Sequence, residues 1–548
     1  MSVFIGYPSF MAYQMMKGKQ GNKDGFPSIP GTIARYSALG LTNEQMAANP
    51  VWVDKTGNGP DLQMKNFAWG GMSGVGGYEM NFNLWTNNVP SISDISMSKT
   101  TTSVSVSVGN SAYNNNLIYI HKNDWDVNKN HWLKVASTYE DGDLAFIFYN
   151  DKNTKKIELP ANGYVNIPAY LEFKGNYMYI STTSNKQGSF TIEQLPLYPG
   201  ALVFDGVDDY GVCDNFPILT KEKGYTVVVL RQYLVDKSTA YLTANGDNTS
   251  NTSFVFEGNN YKDTWNFGKA TPIQASRILA TQTSKQYGGV KLNTGTNAEG
   301  SNLLQVGRWS WSQSYSNVAI WELVFLDHDA TEEELTKIKD YFIKTYPWLF
   351  PDQAWTVTGK TNGDGDRATI ANITGNGNNL VLSNFGFAEG SGYNEEGEYA
   401  GYLVTDGVDD KIVSSVFGMG KDFTIVGDWK FIDNKKSGTG LVKGSSFYIY
   451  NTMIGLDLYI NSGSVTNCFD GIKSINAACS DGRVYDPNWD EILANTGNVV
   501  GSGGTLEVSG SGGGFDRIAF KNFAIYPRIL SKDECIKAYN YLQTLKAK

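Results

Sequence analysis

A chain of 548 residues is longer than one hydrophobic core usually supports and suits about three domains. Its formal net charge is −10, and this acidic balance argues against DNA or RNA as a partner, since phosphate calls for lysine and arginine. With 59 glycines, 13% aromatic and only 18% charged residues, the composition fits an all-β chain of short strands joined by tight turns.

Residues 1–30 are Met-rich and aromatic, then polar, with Pro27 and Pro30 before the first strand. They are expected to form an N-terminal arm, either docked on a neighbouring subunit or loose. No basic start or small-residue cleavage site marks an export signal, and no 18-residue apolar run marks a membrane span, so synthesis in the cytoplasm is the expectation. First strands are expected around 33–37 and 61–67, with a short helix over 42–49. Residues 80–195 read as an insertion. Its stretch 101–108 alternates polar and apolar with period two, as a half-buried strand does. Further strands at 117–121, 132–136, 144–149, 177–182 and 189–194 predict an immunoglobulin-like sandwich. A helix is predicted from the capping box Thr331-x-x-Glu334, with Leu335, Ile338 and Phe342 on one side, and another from Ser531-x-x-Glu534. Residues 346–351 (YPWLFP) end the first helix and lead into the last domain.

The chain repeats itself. Asp205-Gly206-Val207-Asp208-Asp209 recurs as Asp406-Gly407-Val408-Asp409-Asp410, each after an apolar run, and Asp-Gly between two β-prone runs signals a tight turn. Upstream, Thr56-Gly57-Asn58-Gly59, Asn66-Phe67 and Ser73-Gly74 match Thr374-Gly375-Asn376-Gly377, Asn384-Phe385 and Ser391-Gly392, all 318 positions on. Downstream, 315–320 matches 515–520, and Thr331 to Glu334 matches Ser531 to Glu534, at a spacing of 200. The change in spacing puts about 117 extra residues inside the first copy, which is the insertion. Domain one is therefore expected at 31–79 and 196–350, the insert at 80–195, and domain two at 352–548.

The order of these segments, from the T-G-N-G block through D-G-V-D-D to the closing strand and helix at 524–534, resembles the laminin G-like, concanavalin A-like jelly roll. The resemblance implies two β-sandwich jelly rolls, each ending in a short helix, of a kind often used to bind glycans or proteins. The chain also looks like fibre, spike or decoration proteins of phages infecting gut bacteria. That implies a non-enzymatic virion protein that adheres to host glycans or neighbouring subunits, works as a homo-oligomer beside other virion proteins, and is not inserted in a membrane. Alternatives are a glycan-degrading tail enzyme, a purely structural virion subunit, and a cell-surface lectin of a gut bacterium.

Catalysis finds little footing. His121, His131 and His328 sit in unrelated contexts, and no metal-ligand spacing, nucleophile elbow or phosphate loop is present. The expected glycan surface is Arg308 to Tyr315, where alternation along one strand would align Trp309, Trp311, Gln313 and Tyr315; flat rings stack on sugars, but the same residues serve interfaces and cores. Trp125 and Trp132 are further candidates in the insert. Asp205, Asp208 and Asp209, with Asp406, Asp409 and Asp410, offer oxygen ligands for Ca²⁺; the favoured reading is that they bond amides of their own turns, and no cofactor is expected. Of four cysteines, Cys468 and Cys479 are a candidate pair, while Cys535, at the site matching Leu335, reads as an apolar packing residue.

Overall fold

The computed structural model describes residues 24–87, 95–109, 116–127, 131–149, 154–167, 170, 173–182, 186–219, 224–235, 241–245, 254–257, 279–283, 302–309, 314–432, 439–444, 447–451, 455–460, 463–470, 474–493, 503–508 and 515–547. All paired strands in them are antiparallel, gathered in several sheets, and the longer helices are few: the fold is all-β. The chain divides into two compact units, one of Met1–Gly77 with Tyr198–Tyr346, the other of Tyr78–Leu197 with Pro347–Lys548.

In the first unit, strands β1 (Thr226–Tyr233) and β2 (Asn317–Leu326) form the middle of the main sheet. Eight and ten residues long and almost wholly buried, they are Val- and Leu-rich runs covered on both faces. The far edge of β2 is shared: Leu202–Asp205 pairs along its first half and Thr32–Ser37 along its second. A second sheet, with Tyr210–Cys213 between Leu62–Lys65 and Leu304–Val306, faces it. Trp52, Leu62, Phe204, Val227, Ile320 and Phe325 fill the space between, each such side chain contributing about 1.5–3 kcal/mol by burial.

Copy two, in the second unit, repeats this plan. Strands β3 (Thr424–Phe431) and β4 (Ile518–Tyr526) pair in its middle, and the far edge of β4 is again shared, by Leu403–Val404 and Gln353–Thr356. The pairing slips at the same place in both copies, between Leu230 and Arg231 opposite β2 and between Asp428 and Trp429 opposite β4. Such a bulge bends a strand and re-aims the side chains that follow it. The expected helices form as α1 (Asn43–Ala48), α2 (Glu332–Thr345) and α3 (Lys532–Gln543), each with its N-terminal amides closed by a capping box at Thr42, Thr331 and Ser531.

The insert is a sandwich of two five-stranded sheets around a core of its own that includes Trp85, Val106, Ile120, Leu133, Phe146 and Ile192. The strand Ser103–Val108 buries every second residue, as its alternation requires. The insert leaves and rejoins copy one at a single backbone bridge, where Tyr198 N–H donates to Gly76 and Gly76 N–H to Ala201.

Within the second unit the insert packs on copy two through aromatic rings. Trp132 lies edge-on to Trp489 and Tyr539, 6.3 and 5.5 Å between centroids. Trp489 holds a left-handed backbone, φ 65°, that a tryptophan adopts only when its surroundings impose it. Here the Asp486 carboxylate accepts the N–H groups of Asn488 and Asp490 at 2.8 and 2.7 Å and locks the turn. Trp132→Ala is expected to cost about 1–2 kcal/mol, the worth of two edge-on ring contacts. Urea denaturation should show the insert melting before copy two; an unchanged curve would mean the rings merely touch.

Two expectations are corrected at this level. Trp125 is no surface platform: it is 3% exposed and stacked among Trp85, His131 and Phe146 inside the insert. Cys479 is a buried free thiol that accepts from the Thr424 hydroxyl at 3.5 Å and donates to the Leu530 carbonyl at 3.7 Å, so the candidate Cys468–Cys479 pair is not formed. The neighbouring Cys479 sulfur, and then burial, raise the Cys535 thiol well above its ordinary value. Of the N-terminal arm, residues 1–23 lie outside the described residues. Beyond them Phe26 and Asp24 pack on copy one's own Arg35 and Tyr341.

Candidate functional site: the paired turn and its neighbouring hairpin

The repeated pentapeptide makes the same turn in both copies. Asp205 Oδ1 accepts the N–H groups of Val207 and Asp208 at 2.7 and 3.4 Å; Asp406 Oδ1 does the same for Val408 and Asp409 at 2.7 and 3.3 Å. Gly206 stands at φ 75°, and a Cβ there would lie 2.7 Å from that of Asn317, so only glycine fits. The last aspartate of each turn is buried. Asp209 accepts from Asp205 N–H and the Ser73 hydroxyl, both at 3.0 Å, and Asp410 from Asp406 N–H at 2.8 Å and Ser391 at 3.1 Å. Asn66 and Asn384, both in the left-handed region, close each turn by donating to the Asp208 and Asp409 carbonyls at 3.0 Å.

One carboxylate oxygen from each of Asp205, Asp208 and Asp209 lies within 4.8 Å of the others, and Asp406, Asp409 and Asp410 match them. The donors just described account for the first and last acid of each trio, while Asp208 and Asp409 are exposed. Burial raises the Asp209 carboxyl to about 7 and that of Asp410 to about 6, against the amide and hydroxyl bonds that lower both.

Directly after the first turn, the chain delivers Tyr210 to the outer sheet beside a short hairpin. There the structure departs from the single strand expected over 308–315. Arg308–Trp309 pairs antiparallel with Ser314–Tyr315, so the chain reverses, and the register sets Tyr315 opposite Arg308 and Trp309 opposite Ser314. Trp309 and Tyr315 therefore do not share a cross-strand position. Trp311 and Gln313 lie outside the described residues. What the hairpin does bring together is Arg308, Tyr315 and Tyr210, each half-buried. The Arg308 guanidinium lies 3.4 Å from the Tyr210 ring centroid, its Nε donates to Gln305 at 3.0 Å, and the rings of Tyr210 and Tyr315 stand 6.3 Å apart. Arg308 opened the stretch expected to bind glycan, but Tyr210 was not singled out from the sequence, although it directly follows the repeated turn. Copy two keeps the arrangement with exchanged parts: Lys411 stands where Tyr210 does, its Nζ 5.7 Å from the centroid of Phe515.

Trp132 is half-buried, but two of its neighbours are rings of its own chain, so it is not a free platform. Among the described residues no helix is long and apolar enough to cross a membrane.

No family model and no curated protein matches the chain. Among solved structures it is similar to Trypanosoma rangeli sialidase in complex with sialic acid, at 8% identity over 81% of this chain and 83% of that one, TM-score 0.23. It is also similar to a β-porphyranase of glycoside hydrolase family 86 from the human gut bacterium Bacteroides plebeius, at 9% identity over 44% and 37%, TM-score 0.11. A third is the binding domain of botulinum neurotoxin DC in complex with rat synaptotagmin II, at 11% identity over 63% and 89%, TM-score 0.19. At these TM-scores none of the three bears on what the chain does.

Proposed function

We propose that this protein is a non-catalytic adhesion protein whose β-sandwiches present carbohydrate-binding surfaces, with the Tyr210, Arg308 and Tyr315 cluster as the contact surface of copy one. The observation that carries this reading is the guanidinium held over Tyr210 beside a second half-buried tyrosine. Sugar rings bind through apolar C–H faces laid on such rings while a fixed fork of N–H donors meets their hydroxyls. The sheet and the hairpin hold all three residues, so little side-chain freedom is lost on binding. The setting attached to this reading is the surface of a phage particle, where many weak sites act together; it rests on the resemblance noted above, and co-purification with intact particles tests it.

A glycan array probed with the intact protein is the direct test. Binding to a restricted set of glycans is expected, with Arg308→Ala and Tyr315→Ala each weakening it about tenfold or more, the loss of one aromatic or charged contact. Intact glycan recovered after long incubation fits adhesion, whereas released saccharide would establish the enzymatic alternative. An array without hits would favour a purely structural subunit.

A further inference from the structure

Copy two carries on the outward face of its main sheet a group of charges that copy one lacks. On either side of its bulge, β3 presents Asp428 and Lys430; β4 presents Lys521 and Asn522; the loop before Leu403 brings Tyr399 and Tyr402. Strand pairing makes Leu230 and Gln232 the counterparts of Asp428 and Lys430 in copy one. The counterpart of Lys521 is Trp321, fully buried, with its indole N–H given to Pro199. The counterpart of Asn522 is Glu322, paired with Arg35, so each copy carries an ionic set of its own on this face.

These groups are partly enclosed and their charges do not balance. The Lys521 ammonium is 3.9 Å from Asp428 Oδ2, with side chains 20% and 11% exposed. The Lys430 ammonium lies over the rings of Tyr399 and Tyr402, 4.7 and 5.5 Å from their centroids, and that of Lys521 lies 5.6 Å from Tyr402. No carboxylate of the described residues pairs with Lys430. Asp428 Oδ1 is taken by the Tyr402 hydroxyl at 2.8 Å, and Asn522 Oδ1 by Asp428 N–H at 3.1 Å, which leaves the fully buried Asn522 Nδ2 without an acceptor. Tyr539 of α3 carries Trp132 of the insert against it, 5.5 Å between ring centroids, and Asp428 Oδ2 is buried without a hydrogen-bond donor among the described residues. Two ammoniums against one carboxylate, with an unused amide donor and tyrosine walls, call for an anion bearing further polar groups.

We propose that this cluster is a second ligand site, specific for a negatively charged sugar of the uronate class. The carboxylate takes the excess charge of Lys430 and Lys521, hydroxyls bond to Asp428, and the ring lies on Tyr399. The site does not depend on the hairpin cluster of copy one, and the two are separable by mutation.

The test is calorimetric titration of the whole protein with glucuronate, beside methyl glucoside and inorganic sulfate. Saturable binding of glucuronate that weakens as salt rises is expected, with Lys430→Met and Lys521→Met each reducing affinity about tenfold or more and Arg308→Ala leaving it unchanged. Thermal midpoints identify any variant that fails to fold. Saturation-transfer NMR on the unaltered protein supplies an independent reading, with transfer from aromatic protons to the sugar ring expected. Equal binding of methyl glucoside, sulfate binding as tightly as glucuronate, or full affinity in the doubly substituted protein would each overturn the proposal. Loss of binding on Arg308→Ala alone would place the sugar at the hairpin and overturn it as well.

Discussion

Replacing Arg35 by alanine is expected to cost copy one about 3–5 kcal/mol, the usual loss when one partner of a buried ion pair is removed. Arg35 and Glu322 are 2% and 0% exposed and form a two-pronged pair at 2.9 and 3.0 Å. The guanidinium also donates to Asp24 and the Tyr341 hydroxyl, both at 2.7 Å, and lies over the edge-to-face pair of Phe26 and Tyr341, 4.4 and 4.9 Å from their centroids. Burial opposes its charge, and the Glu322 carboxylate more than offsets that, holding its pKa above the ordinary value. Without the cation, Glu322 stays in the core with only neutral donors such as Tyr346. Copy two supplies the control. Its strands carry Ala354 and Asn522 at the matching positions, so the same frame is built there without the ion pair. Arg35→Ala with Glu322→Asn should therefore recover most of the loss. Urea denaturation of the single and double variants decides it; a double variant as unstable as the single would mean that arginine's packing, and not the stranded carboxylate, sets the cost.

The second large effect is on pH. With its carboxyl raised to about 7 by burial, Asp209 keeps its proton in the folded protein where the unfolded chain, at an ordinary 3.8, has lost it. Between those values the native state binds more protons, so stability falls as pH rises from about 4 to about 7, by at most about 1.4 kcal/mol per unit. Asp410, raised to about 6, adds the same sign over a narrower window. Asp209→Asn should flatten the slope and stabilise the protein at pH 8, because the amide oxygen can still accept from Asp205 N–H while its N–H₂ donates to Ser73. Thermal midpoints measured across pH 4–8 check this. If Asp209→Asn instead destabilised the protein at pH 8, and Ca²⁺ stabilised only the unaltered chain, the acidic trio would be a cation site.

How much of this was legible in the sequence depends on whether the signal was local. Turns, caps and paired strands were, because a D-G turn or a capping box is chemistry within four residues and its recurrence at fixed spacing tied distant segments into one plan. The hairpin at 308–315 was not, since alternation looks the same whether a chain runs straight or doubles back. Trp125 misled because a tryptophan beside two aspartates reads as loop while its ring sits in the core. Arg35 and Glu322, 287 residues apart, leave no local trace. The cluster of copy two did leave one: Asp428 and Lys430 interrupt a strand whose counterpart in copy one reads Leu230 and Gln232, a difference visible once the repeats are aligned.

The chain passes between its two units three times, after Gly77, before Tyr198 and after Tyr346. By covalent order the insert belongs to the first sandwich, yet its Trp132 lies edge-on against rings of the second. A cut after Gly77 or before Tyr198 leaves both fragments holding strands of the first sandwich, since Thr32–Ser37 and Leu62–Lys65 pair with strands that follow the insert, whereas a cut after Tyr346 divides no sheet. A single nick at either end of the insert therefore leaves the first sandwich held together by its own strand pairing.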